Sequence, residues 1–471
     1  MDLTRSTLKI FGSKAASAVI SFAGITFFAR ELGASQLGSF FLFQALLGIL
    51  AIPADFGIRG AVEKRVSEGE DADAVLTTAV LLKLFPLILI VMGIVLFQKV
   101  INQYVGASVA LFLALALVLR EFAQLGMFVL RGELRVGETA LLQFARQIVW
   151  VSVGAAFVLS DGGVDGLIVG LLAGSGVLLV WVAYKISIGI AAPTAMHARS
   201  LFNYSKYNFI SSIGGYFYSW MDVAIIGLFL TQADVGAYEI AWRVTAAVML
   251  FSQSIATTLF PQISEWSATN AIDQIEGIIP RAITPSLFLL IPIFFGTLLF
   301  SKEILGVIFG TDYAIAWLVL IVLMLDVVFQ GAQVIIGRSL QAIDQPNLAA
   351  RASVISVIVN LSLNILLISQ FGIIGAAVAT FIASIANDSL HYFYLSKFIS
   401  IRLPLQELSW CVTGSIVMAL LLLVPKLMFE INTLIEIIVI VSLGGVVYLL
   451  FVFSSRSFRL RALSQLRLLL G

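Results

Sequence analysis

Basic side chains set in apolar surroundings are the residues of this chain most able to do chemistry. Lys83, Arg120, Arg146 and Arg243 each fall inside an apolar run, and Arg59 stands at the end of another. A Lys or Arg near the centre of a membrane helix costs roughly 2.5–3.5 kcal/mol to insert. A chain that carries several needs an anionic partner for them. Arg presents a planar fork that matches phosphate oxygens, and Lys a mobile point charge. Lys83, Arg120 and Arg146 lie about 10–15 Å from the ends of their helices at 1.5 Å rise per residue. With Arg59 they all belong to the first 150 residues, whereas the rest of the chain has only Arg243 at such a position. This asymmetry predicts a cationic chamber in the N-terminal part that holds a phosphate or pyrophosphate, with Arg59 at its mouth. The alternative is pairing with Asp55, Glu121 or another acid. Asp55 and Arg59 have the i,i+4 spacing of a helix-face pair. Glu121 is next to Arg120 in sequence but points about 100° away from it, so it is not the obvious partner.

Asp222 and Arg243 reach similar depths on neighbouring runs. They are expected to form a structural pair, with a substrate or coupling role as the alternative. Asp326 sits mid-run with no obvious partner and suits either a coupling-ion site or a water-filled cleft. The two histidines, His197 and His391, are far apart and make a poor metal site. The single cysteine, Cys411, excludes an intrachain disulfide. No G-x-x-x-x-G-K-[ST] motif is present, so direct ATP use is not expected, and no cofactor is implied.

The elements that position these residues follow from composition. Apolar residues make up 60% of the 471 and charged residues 12%, and mean hydropathy is +1.05. A soluble chain is about half apolar and about a quarter charged. Bilayer hydrocarbon is the solvent that fits, and a helix satisfies its own backbone there. Runs of about 20 apolar residues predict an all-α integral membrane fold with fourteen spans. They cover 7–29, 37–58, 75–97, 109–130, 139–159, 164–184, 207–230, 236–260, 283–300, 314–336, 349–368, 373–394, 410–424 and 434–453. The first run has no small-residue cleavage site before Arg30 and is expected to be retained as a span. Twenty of the 28 Lys and Arg residues flank the spans on one side and four on the other. The excess of basic residues in cytoplasmic loops then places both termini in the cytoplasm of a cell-membrane protein. A net charge of +1 gives no reason to expect nucleic acid. The acidic connector 262–280 is expected to be either an interfacial amphipathic helix or an ordinary loop.

The chain also resembles itself. The segment starting at Leu130 aligns without a gap on the one starting at Ser339, bringing Gly163 onto Gly372 and Gly166 onto Gly375. ASQLGSF around Gly38 resembles QADVGAY around Gly236. Two six-span repeats have the same orientation, a transporter arrangement with its axis along the membrane normal. This gives an N-terminal lobe at 1–190, a C-terminal lobe at 191–400, and two further helices with a basic cytoplasmic tail at 401–471.

ARELGASQLGSFFLFQ after the first span resembles the polysaccharide transporter family, the O-antigen type flippases of the multidrug/oligosaccharidyl-lipid/polysaccharide exporter superfamily. ADFGIRGA, SWMDVAIIGLFLTQADVGAYEIAWRV, ILGVIFGTDYAIAWLVL and FGIIGAAVAT fit the same family in the same order. The resemblance implies V-shaped lobes that move a polyprenyl-linked oligosaccharide across the membrane, with membrane lipids and other glycan-assembly membrane proteins as partners. A multidrug or organic-cation antiporter of the same superfamily is one rival, and it would place acids in the substrate lobe. A membrane glycan polymerase or ligase is the other, and it would carry a large external loop. No enzyme activity is expected.

Overall fold

Glycine decides where the longest helices turn. The computed structural model describes residues 3–189, 191–401, 403–455 and 458, with the side chains of 3–15, 207–208 and 210–219 outside that description. The basic C-terminal tail and Arg402 also lie outside it. In chain order the helices are α1 (Leu3–Asp55), α2 (Ile58–Ser67), α3 (Ala72–Leu96), α4 (Gln98–Val105), α5 (Ala110–Gly132), α6 (Val136–Val158) and α7 (Gly163–Lys185). There follow α8 (Ala195–Phe229), α9 (Gln232–Ala268), α10 (Ile272–Ile308), α11 (Trp317–Ala342), α12 (Pro346–Leu395), α13 (Leu405–Met428) and α14 (Leu434–Ser454). No strand occurs among the described residues, and eleven helices are long and apolar enough to cross a membrane.

Two of those eleven are far longer than one crossing needs. α12 has 50 residues, about 75 Å at 1.5 Å each against about 30 Å of hydrocarbon. Its backbone breaks at Gly372, with φ 59° and ψ −142°, a conformation in which a Cβ is strained. The two segments on either side lie antiparallel. Ser356 Oγ donates to the Ala383 carbonyl at 2.8 Å, Asn360 Nδ2 donates to Thr380 Oγ1 at 3.2 Å, and a Cβ on Gly375 would fall 2.1 Å from the Leu367 carbonyl oxygen. α12 is therefore a hairpin, and its turn separates the runs expected at 349–368 and 373–394. α1 breaks likewise at Gly33, φ 72°. Phe28 before that break and Phe40 after it both meet the Trp150 ring, at 6.1 and 6.0 Å.

The chain divides into two units, 1–236 and 237–471. In the first, α6 and α7 approach so closely that a Cβ on Gly170 would lie 2.6 Å from the Gly154 nitrogen. Small residues allow such contact where lipid offers no hydrophobic drive. Gly38 and Gly236, matched by the internal repeat, lie against each other, 2.9 Å from a Gly38 Cβ to the Gly236 nitrogen. A buried apolar cluster of Ile58, Val62, Val75, Ala79, Leu125, Val129 and Leu201 joins α2, α3, α5 and α8. In the second unit α10 packs on α11 and α13, and α11 packs on the α12 hairpin. α14 is fixed there by Tyr448, whose hydroxyl donates to the Phe288 carbonyl at 2.8 Å. The connector 262–280 is neither a separate surface helix nor a loop. α9 continues through it to Ala268, and α10 begins at Ile272.

α3 shows which solvent this protein is built for. Phe85 and Leu96 are 77% and 75% exposed, while Lys83 on the same helix is 0% exposed. Water would favour the reverse, and hydrocarbon favours what is found.

Candidate substrate-binding site

α1 ends at Asp55, the backbone turns through Phe56 (φ 48°) and Gly57 (φ 76°), and α2 begins at Ile58. The turn keeps Asp55 within reach of Arg59, so the i,i+4 pair forms across a break in the helix. Arg59 Nε donates to Asp55 Oδ1 at 3.0 Å. The same oxygen accepts from Lys83 Nζ at 2.7 Å. Lys83 Nζ also lies 2.7 Å from Glu121 Oε2 on α5. Lys83 and Glu121 are both 0% exposed, and Asp55 and Arg59 are buried. Two cations and two carboxylates from four helices thus form one closed, neutral network. Burying an unpaired ion in such a place would cost several kcal/mol. The cluster of apolar side chains joining α2, α3, α5 and α8 holds three of these four helices together, and α1 is tied to them through Asp55.

A second basic feature adjoins this network on α5. The Phe128 ring lies under the guanidinium of Arg59 at 5.6 Å and under that of Arg131 at 4.7 Å. Phe128 stands two turns beyond Glu121 on nearly the same face of α5. Arg131, at the basic end of α5, is therefore linked to Arg59 through one aromatic ring.

Arg120 and Arg146 form a different group. Both are half-buried, on α5 and α6. Arg146 Nε donates to Gln143 Oε1 at 3.1 Å, and Arg120 acts on Arg146 as a neighbouring positive charge. Like charges interact strongly where water is scarce, so an anion placed at this pair would be favoured by both guanidiniums.

The second unit carries the opposite sign. Asp326 on α11 is 2% exposed, and Gln330 Nε2 donates to its Oδ2 at 2.6 Å. Asp388 on α12, half-buried, lies within electrostatic reach of Asp326. Arg243 Nη2 lies 2.9 Å from Glu239 Oε1, four residues earlier on α9. Asp222 is half-buried on α8.

The structure thus brings Lys83, Glu121, Asp55 and Arg59 together and sets Arg120 beside Arg146. Sequence reasoning missed Glu239 as a partner of Arg243 and Arg131 as a neighbour of Arg59. The i,i+4 spacing from Glu239 to Arg243 and the i,i+3 spacing from Phe128 to Arg131 were the available signals.

A profile of the family described as polysaccharide biosynthesis protein matches residues 27–318. The chain belongs to that family. It is 56% identical over 450 residues to a Haloferax volcanii protein named "Probable low-salt glycan biosynthesis flippase Agl15", covering 95% of each chain. It is 28% identical to another protein of the same organism, "Probable flippase AglR", over 95% of this chain and 94% of that one. Its fold matches a solved structure of the lipid II flippase MurJ in an inward closed conformation, with a TM-score of 0.81, 20% identity and coverage of 96% and 98%. Within this family the paired guanidiniums on α5 and α6 and the neutral network beside them are the features whose placement calls for a functional reading.

Proposed function

We propose that this protein is a flippase that moves a polyprenyl-(pyro)phosphate-linked oligosaccharide from the cytoplasmic to the outer leaflet by alternating access. The observation that carries the reading is the Arg120–Arg146 pair: two guanidiniums on the packed helices α5 and α6, within electrostatic reach of each other inside a membrane helix bundle. An anionic head group relieves their repulsion and gains bidentate hydrogen bonds. Arg131 and Arg59, linked by Phe128, lead from the basic end of α5 toward the network and receive the head group first. Lys83, whose ammonium is taken by two carboxylates, acts on the head group through Asp55 and Arg59. The flippase name of the 56%-identical relative supports the same substrate class.

The proposal includes a topology. The hairpins in α1 and α12 divide two of the eleven apolar helices into four crossings, and α8 adds another, which supports fourteen spans. The basic residues flanking the spans argue for both termini in the cytoplasm of a cell-membrane protein. Lobes at 1–190 and 191–400 rock about the pseudo-two-fold axis of the repeat, and 401–471 is peripheral to them. The matched glycines Gly166 and Gly375 both sit tightly against the preceding helical segment, at Phe157 and at Leu367, one place out of register with each other, and support the repeat. The protein is a transporter with no catalytic chemistry of its own, and other glycan-assembly membrane proteins supply its substrate.

Glycan export in a strain lacking its own flippase tests the reading, with protein amount controlled. R120A and R146A are expected to abolish export at normal protein level, because removing a buried charge does not hinder insertion. Normal export by both variants would exclude the pair as the head-group site.

The Asp326–Asp388 pair favours a second reading, exchange of an organic cation. Uptake of tetraphenylphosphonium into vesicles, lost in D326N and kept in R120A, would select that reading over the first.

A further inference from the structure

One carboxylate oxygen serves two cations in the buried network. Asp55 Oδ1 accepts from Lys83 Nζ at 2.7 Å and from Arg59 Nε at 3.0 Å. Lys83 divides its own charge between Asp55 and Glu121, and it has no exposed surface through which to meet a ligand. Arg59 differs. Its side chain is 9% exposed against 0% for Lys83, and its guanidinium reaches from Asp55 to the face of Phe128, on which Arg131 also lies, so it stands on the side of the network nearer the basic end of α5.

We infer that Lys83 is a positioning residue that poises Arg59 for a phosphate by competing with it for Asp55 Oδ1. The inference rests on the reading of Arg59 as a head-group receptor. Shared between two cations, the Asp55 carboxylate holds Arg59 in place with only part of its charge. A phosphate then competes for the guanidinium against a carboxylate whose charge is already partly spent. Without Lys83, Asp55 would turn its whole charge to Arg59, and Glu121 would leave an uncompensated negative charge near the path of an anion. Lys83 therefore raises affinity for the head group from a position that never touches it.

Three roles for Lys83 can be separated with two variants, one that leaves no buried ion without its partner and one that also removes the carboxylate of Arg59, with folding checked for each because an isolated buried ion endangers it. K83M/E121Q keeps Asp55 and Arg59 as an exclusive pair. D55N/K83M/E121Q removes every other charge and leaves Arg59 free of Asp55. The measurement is binding of undecaprenyl phosphate to the purified full-length chain in nanodiscs of neutral lipid, with the unfolding temperature recorded for each variant.

If Lys83 poises Arg59, K83M/E121Q binds about tenfold more weakly than the native chain, the loss of one charge-assisted hydrogen bond's worth of competition. The triple variant then binds at least as tightly as the native chain. Weak binding by both variants would make Lys83 a direct ligand and overturn the inference. Native affinity in both would reduce Lys83 to charge balance for folding and overturn it equally. R59A is the separate arm. Native binding by R59A removes the reading of Arg59 on which the inference stands, whereas weak binding by R59A with native binding by K83M/E121Q sinks the inference alone.

Discussion

Arg120 and Glu121 are adjacent in sequence and belong to different electrostatic groups, because successive side chains on a helix diverge by about 100°. Glu121 closes the neutral network with Lys83, and Arg120 acts on Arg146 as a neighbouring positive charge. Arginine at these two positions should matter for its shape as well as its charge. R120K and R146K are expected to keep a fraction of export, roughly a tenth, since a lysine retains the charge and loses the bidentate fork. Export by the two lysine variants at the level of the alanine variants would show that the guanidinium plane is essential, and export at the native level would show that charge alone suffices. The kinds of residue in this site were legible in the sequence from burial cost alone. So was the Asp55–Arg59 pair, through its spacing. The union of Lys83 with both Asp55 and Glu121 was not, because those residues come from three helices whose packing no local pattern encodes. The sequence offered Asp55 and Glu121 only as possible acids.

At the scale of elements, the apolar runs predicted the helices well because each has the length that hydrocarbon demands. The runs at 37–58 and 349–368 end within a few residues of the turns at Phe56 and Gly372. The extensions of α8, α9 and α10 beyond their apolar runs were not legible, since a helix that continues past the membrane loses its apolar signal while keeping its backbone hydrogen bonds. The hairpin turn at Gly372 makes a sharp prediction. G372A places a Cβ at φ 59° and ψ −142°, which costs about 1–3 kcal/mol. Thermal unfolding in detergent should show a lower midpoint for G372A. An alanine at Gly277, where an added Cβ meets nothing within 4 Å, is the matched control and should unfold at the native temperature or slightly above it. Equal midpoints for the two variants would mean that the turn relaxes without cost.

For the molecule as a whole, the proposed fourteen-span arrangement places the α6–α7 turn outside and the α2–α3 turn inside. A reporter fused after Arg65 should read cytoplasmic, and one inserted between Ser160 and Gly163 should read external. A cytoplasmic signal from the second site would invert the first half of the chain and carry the head-group path to the wrong leaflet. The distribution of charge between halves was legible in part. Four cations of the first half were evident, whereas the closeness of Asp326 and Asp388 in the second unit was not, because α11 and α12 meet only in the folded bundle.

The buried network also has a history in time, because a ribosome delivers its members one by one. Asp55 leaves 28 residues ahead of Lys83, and Glu121 follows only after α4 and the start of α5 have been made. Lys83 therefore enters the bilayer with one acid already at hand and the other still inside the ribosome. Asp55 is the escort for α3 during biogenesis, and Glu121 is the seal added once α5 arrives. In nascent chains stalled after Gly132, where α3 has emerged and Glu121 is still inside the ribosome, D55N should leave α3 outside the bilayer in a larger share of molecules, as read by protease protection. In the complete chain, E121Q should leave that early partition unchanged and lower only the stability of the finished bundle.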